Sequence, residues 1–434
     1  MSQKMLVAGA MMLSVVGSAQ AQLLSSLLSP LSLSTAGVKY GCDWLEGNDA
    51  DTNNTGYLDT QATYRTANIP VTPPAGAYIR VQGQYPKARY FGFQTYDGFR
   101  PGNIIDRLPD SSIVPDDNAA IDANPANLPV NADYTKTFTF EVRFEDVPVA
   151  PLTRAPNVIY AGRGSKNAAI SKQLGFRLYF PNTPGDKLGG VPLASLTYVG
   201  PDGGEINLNT SSPDKGSCNL VKTVERYNIL FPTVSKAKSQ KNIAFTPIAN
   251  ANTKQVYPNP DANYLQAELG RSYGDLVLVR QLNQVTPKLP PLLEAAAQVR
   301  YWSLCMYQVL NSAVTGCITD TQMKLLDNQK FVTVISVAAK RPAMATPEYG
   351  YNWLPYGNQA LGIVLLRQVL SAPDFGGNYA KSVAEPERPV SETLGAWAPE
   401  ITYCSSEVFA AFAGAGGDVA FDECRAAANA AAGL

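Results

Sequence analysis

The chain has 434 residues, 45% of them hydrophobic and 16% charged, with Lys+Arg 35 against Asp+Glu 36. That length exceeds one ordinary core, and that balance offers no excess of cations for phosphates, so two domains and no nucleic-acid partner are expected. Histidine is absent, which removes Ser-His-Asp and Cys-His catalysis and His-ligated zinc or haem, leaving carboxylates, Lys, Tyr or a His-free metal site to any enzyme.

Residues 1–21 read as a secretory signal peptide. Lys4 is the positive start, Met5 to Val16 the short apolar core, and Ala19-Gln20-Ala21 a small-x-small cleavage site. No later run has the length of a spanning helix, so no transmembrane segment is expected. The mature chain is then expected in an oxidising compartment, the periplasm or the extracellular medium. Its cysteines, Cys42, Cys218, Cys305, Cys317, Cys404 and Cys424, form an even set that suits disulfides. Neighbours in sequence suggest Cys305 with Cys317 and Cys404 with Cys424, which leaves Cys42 with Cys218. With no CxxC and no histidine, no metal site is expected, and no motif asks for a cofactor.

Residues 22–41 are a Leu/Ser-rich arm. The acidic run from Gly47 to Tyr57 continues to Asp59, and Asp51, Asn53, Thr55, Gly56 and Asp59 fall near calcium-loop offsets. Ala62 stands where the bidentate Glu is needed, so a strand-entry turn is the reading. Tyr78 to Gln82 alternates polar and apolar residues. Phe138, Phe140, Val142 and Phe144 share one face, and Phe176, Leu178 and Phe180 repeat the pattern around Arg177 and Tyr179. Pro/Asn/Asp-rich connectors such as Leu108 to Asp133 separate these strands, and no long amphipathic helix precedes residue 288.

At Arg300-Tyr301-Trp302-Ser303-Leu304-Cys305-Met306-Tyr307 the chain repeats the skeleton of Arg89-Tyr90-Phe91-Gly92-Phe93-Gln94-Thr95-Tyr96. Five further matches keep the same order. Asn259–Leu265, with Tyr264, answers Asp51–Leu58, with Tyr57; Leu276–Arg280 answers Ala77–Val81; Phe331–Val337 answers Phe138–Phe144. Asn352–Gly357 then answers Asn157–Gly162, and Gly362–Arg367 answers Gly175–Phe180. Such self-similarity marks an internal duplication. The expected fold is mainly β, with two tandem jelly-roll-like β-sandwich modules at 42–257 (including a bridge) and 258–400. Residues 401–434 are expected as a short helical hairpin, with Ser405 and Asp418 as helix caps, under the Cys404–Cys424 bridge.

Recurrent rings and charges are the candidate ligand residues: Arg89, Tyr96, Asp97, Arg300, Trp302, Tyr351, Trp353 and Tyr356. They would suit a carbohydrate or an apolar small ligand, with rings to stack on and Arg or Asp to hydrogen-bond. The competing reading is packing, with Arg89 and Arg300 paired to Asp97 or Asp106. The basic glycine turn Ala161–Lys166 reads as an anion nest or a solvated loop. Ser235 and Lys238 have Ser-x-x-Lys spacing without its partner motifs. Asp97, Asp106, Glu141 and Glu145 are the acids open to a His-free glycan hydrolase, the alternative to a non-catalytic binding or surface-structural role.

The Asn-rich turn into Tyr57, Arg89-Tyr90-Phe91 leading to Tyr96-Asp97, Tyr301-Trp302-Ser303 and Asn352-Trp353-Leu354-Pro355 resemble a family of exported, mostly bacterial proteins. That family is known as paired domains of unknown function, numbers 1254 and 1214. The resemblance spans about residues 50–180 and 258–370 and implies β-sandwich architecture and export, with no activity attached. Cys305 in the Trp-Ser strand, the lack of histidine and the long bridge depart from the family pattern.

Overall fold

A computed structural model describes residues 37–45, 47, 49–98, 104–117, 124, 135–149, 154–165, 171–219, 241–248, 257–286 and 297–433. The signal-peptide reading, nearly all of the arm, Lys166, Ser235 and Lys238 lie outside these residues. In the first module, β1 (Ala62–Ile69), β7 (Lys172–Pro181), β3 (Ala88–Tyr96) and β4 (Ile104–Pro109) form one sheet in that order. The facing sheet runs β6 (Val158–Tyr160), β5 (Thr137–Arg143), β2 (Tyr78–Gln84), β8 (Ser195–Val199) and β9 (Glu205–Asn207).

The second module repeats this plan. Its first sheet is β10 (Thr246–Pro247), β11 (Ala262–Gly270), β17 (Leu361–Ser371), β13 (Val299–Gln308) and β14 (Val314–Thr319), so β10 and the Tyr257 that follows it go with the second module and not with the bridge of the first. Its second is β16 (Asn352–Pro355), β15 (Lys330–Ser336), β12 (Leu276–Leu282) and β18 (Glu400–Cys404). Corresponding strands keep the same order, and β5–β6 and β15–β16 are parallel pairs while the rest are antiparallel. The protein is thus mainly β, two sandwiches from one duplicated plan.

Register refines the sequence matches. Arg89/Arg300, Phe138/Phe331 and Asn157/Asn352 correspond as read. Tyr264 does not match Tyr57: it pairs with Arg367 as Tyr64 pairs with Arg177, so Tyr264 corresponds to Tyr64 and Arg367 to Arg177. Along β12, Val279 opposite Thr333 corresponds to Val81 opposite Phe140, one residue from the sequence match. The backbone repeats in detail as well. Tyr57 and Tyr257 both adopt positive φ (58° and 54°), as do Phe180 and Leu370 (53° and 49°), marking the same bends twice.

Side-chain alternation explains each core. Phe91, Phe93, Phe138, Phe140, Phe176 and Leu178 point between the sheets of the first sandwich. Trp302, Leu304, Met306, Phe331 and Leu366 do so in the second. In β3 the opposite face is buried too, as it is in all but the last residue of β13. A strand covered on both faces reads as a near-continuous apolar run, which is why these two segments stand out in the sequence. Asn157 accepts from Val114 N and donates to Thr139 O; Asn352 does the same with Lys324 N and Val332 O, so both asparagines clamp a loop to the neighbouring strand.

Three disulfides form as the sequence suggests: Cys42–Cys218, Cys305–Cys317 and Cys404–Cys424. Helix α1 (Leu208–Ser211) precedes Cys218, and α2 (Ala380–Ala384) and α3 (Val390–Leu394) lie between β17 and β18. Helices α4 (Ser406–Phe412) and α5 (Gly417–Ala432) cover the outer face of the β12–β15 sheet through Phe409, Phe421 and Cys424. Ser405 caps α4 by accepting from Val408 N. Asp418 is not a cap, contrary to expectation; it lies in the first turn of α5 and takes a hydrogen bond from Arg280.

Arg280 also binds Glu400 and Asp422, and Arg425 binds Glu400. Burial alone would raise the Glu400 carboxyl above its ordinary 4.5, but Arg280 and Arg425 outweigh it and hold it lower. A carboxyl depressed by folding contributes its stability above that ordinary value and loses it as pH falls through the folded value. Acid titration by near-UV circular dichroism should therefore show α5 loosening from β18 below about pH 4.5. Glu400→Gln should flatten that transition, and an unaltered titration would remove Glu400 from its cause.

Candidate functional site

The two sandwiches meet face to face through β1, β3 and β7 on one side and β11, β13 and β17 on the other. The cluster between them is built of Tyr90, Tyr179, Tyr264, Tyr301 and Tyr307 with small aliphatic residues. Tyrosine suits such a place because its ring buries area and its hydroxyl still finds a partner. Tyr90 donates to Asp261 at 2.8 Å, and Tyr301 donates to Asp59 at 2.9 Å. Burial, then the neighbouring carboxylate, pushes both hydroxyls well above the usual tyrosine range.

The charges cross the interface reciprocally. Arg89 pairs with Asp320, and its counterpart Arg300 pairs with Asp110 at 2.6 Å. Arg177 donates to Tyr257 O of the other module and Tyr96 Oη of its own. Arg367 donates to Tyr57 O and Tyr307 Oη in the same way, and also to Asp59 at 2.6 Å. When residue i meets j and the equivalent of j meets the equivalent of i, the interface is isologous, as in a two-fold dimer. Burial pushes the Asp110 carboxyl up despite the Arg300 guanidinium. Desolvation offsets much of the attraction in such a buried pair, and removing one partner costs more than the intact pair contributes.

The acidic turn joins this interface. Asn54 exchanges two hydrogen bonds with the Val314 main chain at 2.8 Å, and Ser312 accepts from Gly56 N and Tyr57 N. Asp49 accepts from Asp51 N and Thr52 N, an ordinary turn.

The candidate ligand residues separate into different surroundings. Arg89, Tyr96 and Arg300 belong to the buried interface, and the partners expected for the two arginines, Asp97 and Asp106, are corrected to Asp320 and Asp110. They pair across modules, which no local spacing reveals. Asp97 acts on the buried Lys172 electrostatically, and Asp106 is held by Arg154. Trp302 stacks on Phe331 at 5.3 Å and donates to Gln284 O. Tyr351 packs on Phe409 under the helical tail and donates to Ala413 O. Trp353 is half-buried on edge strand β16, with the Arg341 guanidinium 4.5 Å over its ring and its indole N–H on Ser336 Oγ. The glycine turn at 161–164 uses Ala161 N, Gly162 N and Arg163 N on Arg143 O, Glu145 O and Asp146 Oδ1.

Two concave places stand out among the described residues. In the first module the apolar space among Trp44, Phe93, Phe138, Phe176 and Leu193 is about 10 Å³, about one water at most. At one end of the second module lies a polar cleft of about 250 Å³ lined by Arg271, Ser272, Gly274, Asp275, Val337, Lys340 and Ala360. Lys340 Nζ binds Asp275 at 2.6 Å, and its ammonium, then the Ser406 hydroxyl, keeps that carboxyl below its ordinary range. The β11–β12 turn is pressed on β18: a Cβ at Gly274 would meet Cys404 O and the Tyr403 side chain at 3.1 Å. Beneath it Tyr356, buried, donates to Leu269 O and Ala360 O and braces the wall that carries Arg271. Of the candidate ligand residues, Tyr356 touches a residue of the cleft wall, Ala360; Arg271, Asp275 and Lys340 belong to no motif and come together only through the fold.

No family model and no curated relative matches the chain. Among solved structures it is similar to an uncharacterized protein from Burkholderia cenocepacia, with TM-score 0.48 and 15% identity over 78% of this chain and 83% of that one. It is also similar to a protein from Vibrio parahaemolyticus, with TM-score 0.37 and 11% identity over 74% of this chain and 88% of that one.

Proposed function

We propose that the protein is an exported, non-catalytic saccharide-binding pair of β-sandwiches, with its binding surface at the polar cleft of the second module. The carrying observation is a division of labour. The duplicated Arg89–Asp320 and Arg300–Asp110 pairs and the tyrosines between them are consumed by one another between the modules, whereas Arg271, Ser272, Asp275 and Lys340 face an open cleft. Export is supported by the three disulfides and by the N-terminal signal-like run. Among the described residues no helix is long and apolar enough to cross a membrane. The resemblance to the paired exported domains agrees with the same reading. A carboxylate-pair hydrolase needs two acids free to act on one bond, and Asp106 and Glu141 are each held by an arginine.

A glycan panel on the mature, oxidised protein tests this, with Trp353→Ala in parallel. The expected result is a retained hit in the variant and unaltered glycan. Loss of the hit in a folded Trp353→Ala would move the site to β16. Released product would restore the hydrolase reading, and no hit at all would replace binding with a surface-structural role.

A further inference from the structure

The geometry points to a carboxylated sugar unit as the ligand of the second-module cleft, an inference that rests on the saccharide-binding reading. Size comes first. About 250 Å³ falls below the roughly 300–1,000 Å³ of sites for drug-sized ligands, so one ring with its substituents fits better than an extended chain or a large apolar molecule.

Charge decides the rest. Lys340 and Asp275 neutralise each other across 2.6 Å on one lip. Such a pair offers ammonium donors and carboxylate acceptors side by side, the chemistry of neighbouring hydroxyls. Arg271 is exposed on the opposite part of the turn, its main-chain N–H fixed on Ala360 O, and no described carboxylate pairs with its guanidinium. One unpaired guanidinium matches one monoanion, and its planar fork matches a carboxylate in two parallel hydrogen bonds. A phosphate dianion would ask for a second unpaired cation, and the other cation lining the cleft, Lys340, is already neutralised.

Apolar surface completes the fit. Val337 and Ala360 line the cleft, and Tyr273, on the same turn, is 40% exposed with its ring packed on Tyr403 at 5.6 Å. A pyranose presents C–H faces to such surfaces while its hydroxyls and carboxylate turn to the polar lips. The wall is preorganised: Tyr356 braces it from below, and Gly274 packs against β18.

The test is calorimetry or saturation-transfer NMR on the mature, oxidised full chain with methyl glucuronide, methyl glucoside, acetate and inorganic phosphate as probes. Methyl glucuronide should bind at least about tenfold more tightly than the glucoside, the scale of one charge-assisted bidentate contact. Arg271→Ala, an exposed position, should erase that preference without altering the near-UV spectrum, and Arg271→Lys should restore part of it. Equal binding of the two glycosides, or a preference that survives Arg271→Ala, overturns the inference. Acetate or phosphate binding as tightly as the glucuronide overturns it in favour of a plain anion site. A neutral glycan that binds independently of Arg271 overturns this inference alone and leaves saccharide binding standing. Silence of the whole glycan panel removes both.

Discussion

Asp59→Ala should cost the protein about 3–5 kcal/mol, the usual consequence of removing one partner from a buried ion pair. Asp59 Oδ2 accepts from Arg367 at 2.6 Å, Ser303 Oγ at 2.6 Å and Tyr301 Oη at 2.9 Å, and both members of the ion pair are almost wholly buried. Without the carboxylate, a guanidinium and two hydroxyls face each other between the modules. Burial opposes the Arg367 charge, but a guanidinium does not give up its proton inside a protein, so Arg367 cannot neutralise itself instead. Chemical denaturation followed by tyrosine and tryptophan fluorescence gives the loss. The double variant Asp59→Ala/Arg367→Met should recover most of it, because the unpaired charge is then gone as well. A single-variant loss below about 1 kcal/mol, the scale of a surface ion pair, would show that water reaches this pair and that the interface is looser than its burial implies.

Removing the Cys42–Cys218 bridge by paired Cys→Ser substitution should cost about 5 kcal/mol in the chain-entropy account, because it closes 176 residues. The other two bridges close 12 and 20 residues, and the same account gives about 3 kcal/mol for each. The first bridge has further support: Asp214, four residues before Cys218, accepts from the N–H groups of Lys39, Tyr40 and Gly41. That strap also covers the open edge of β1, since Cys42 N and Leu45 N donate to Asn68 O and Thr66 O. Thermal unfolding of the three bridge variants, compared at equal pH, checks the order. Equal losses for all three would mean that native contacts, not loop length, set the contribution.

The duplication was legible wherever a landmark side chain marks the register. Arg89 and Arg300, Phe138 and Phe331, and Asn157 and Asn352 each carry a distinct residue to a distinct job, so sequence and structure agree there. Register slipped where both faces are apolar. Leu276 to Gln281 is buried throughout and shows no alternation to fix its phase, and a slip of one residue exchanges the faces of a strand. In β17 the glycine Gly362 attracted the match, while Arg367 is the true counterpart of Arg177. The interface was legible as residues but not as contacts. Arg89 meets Asp320 over a separation of 231 residues, and only docking of two finished sandwiches brings them together. The cleft was not legible at all, because Arg271, Asp275 and Lys340 sit on turns whose proximity depends on how the β11–β12 hairpin lies against β18.

Each disulfide closes within one module, and no cysteine is left to link the two. Covalently, then, the halves share only the main chain between Cys218 and Thr246. A single proteolytic nick there would turn the molecule into a heterodimer of unlike fragments that bury like surfaces on each other. Because an isologous contact is closed once made, the nicked pair would expose no sticky half for a third fragment and would stay a pair rather than grow into a chain.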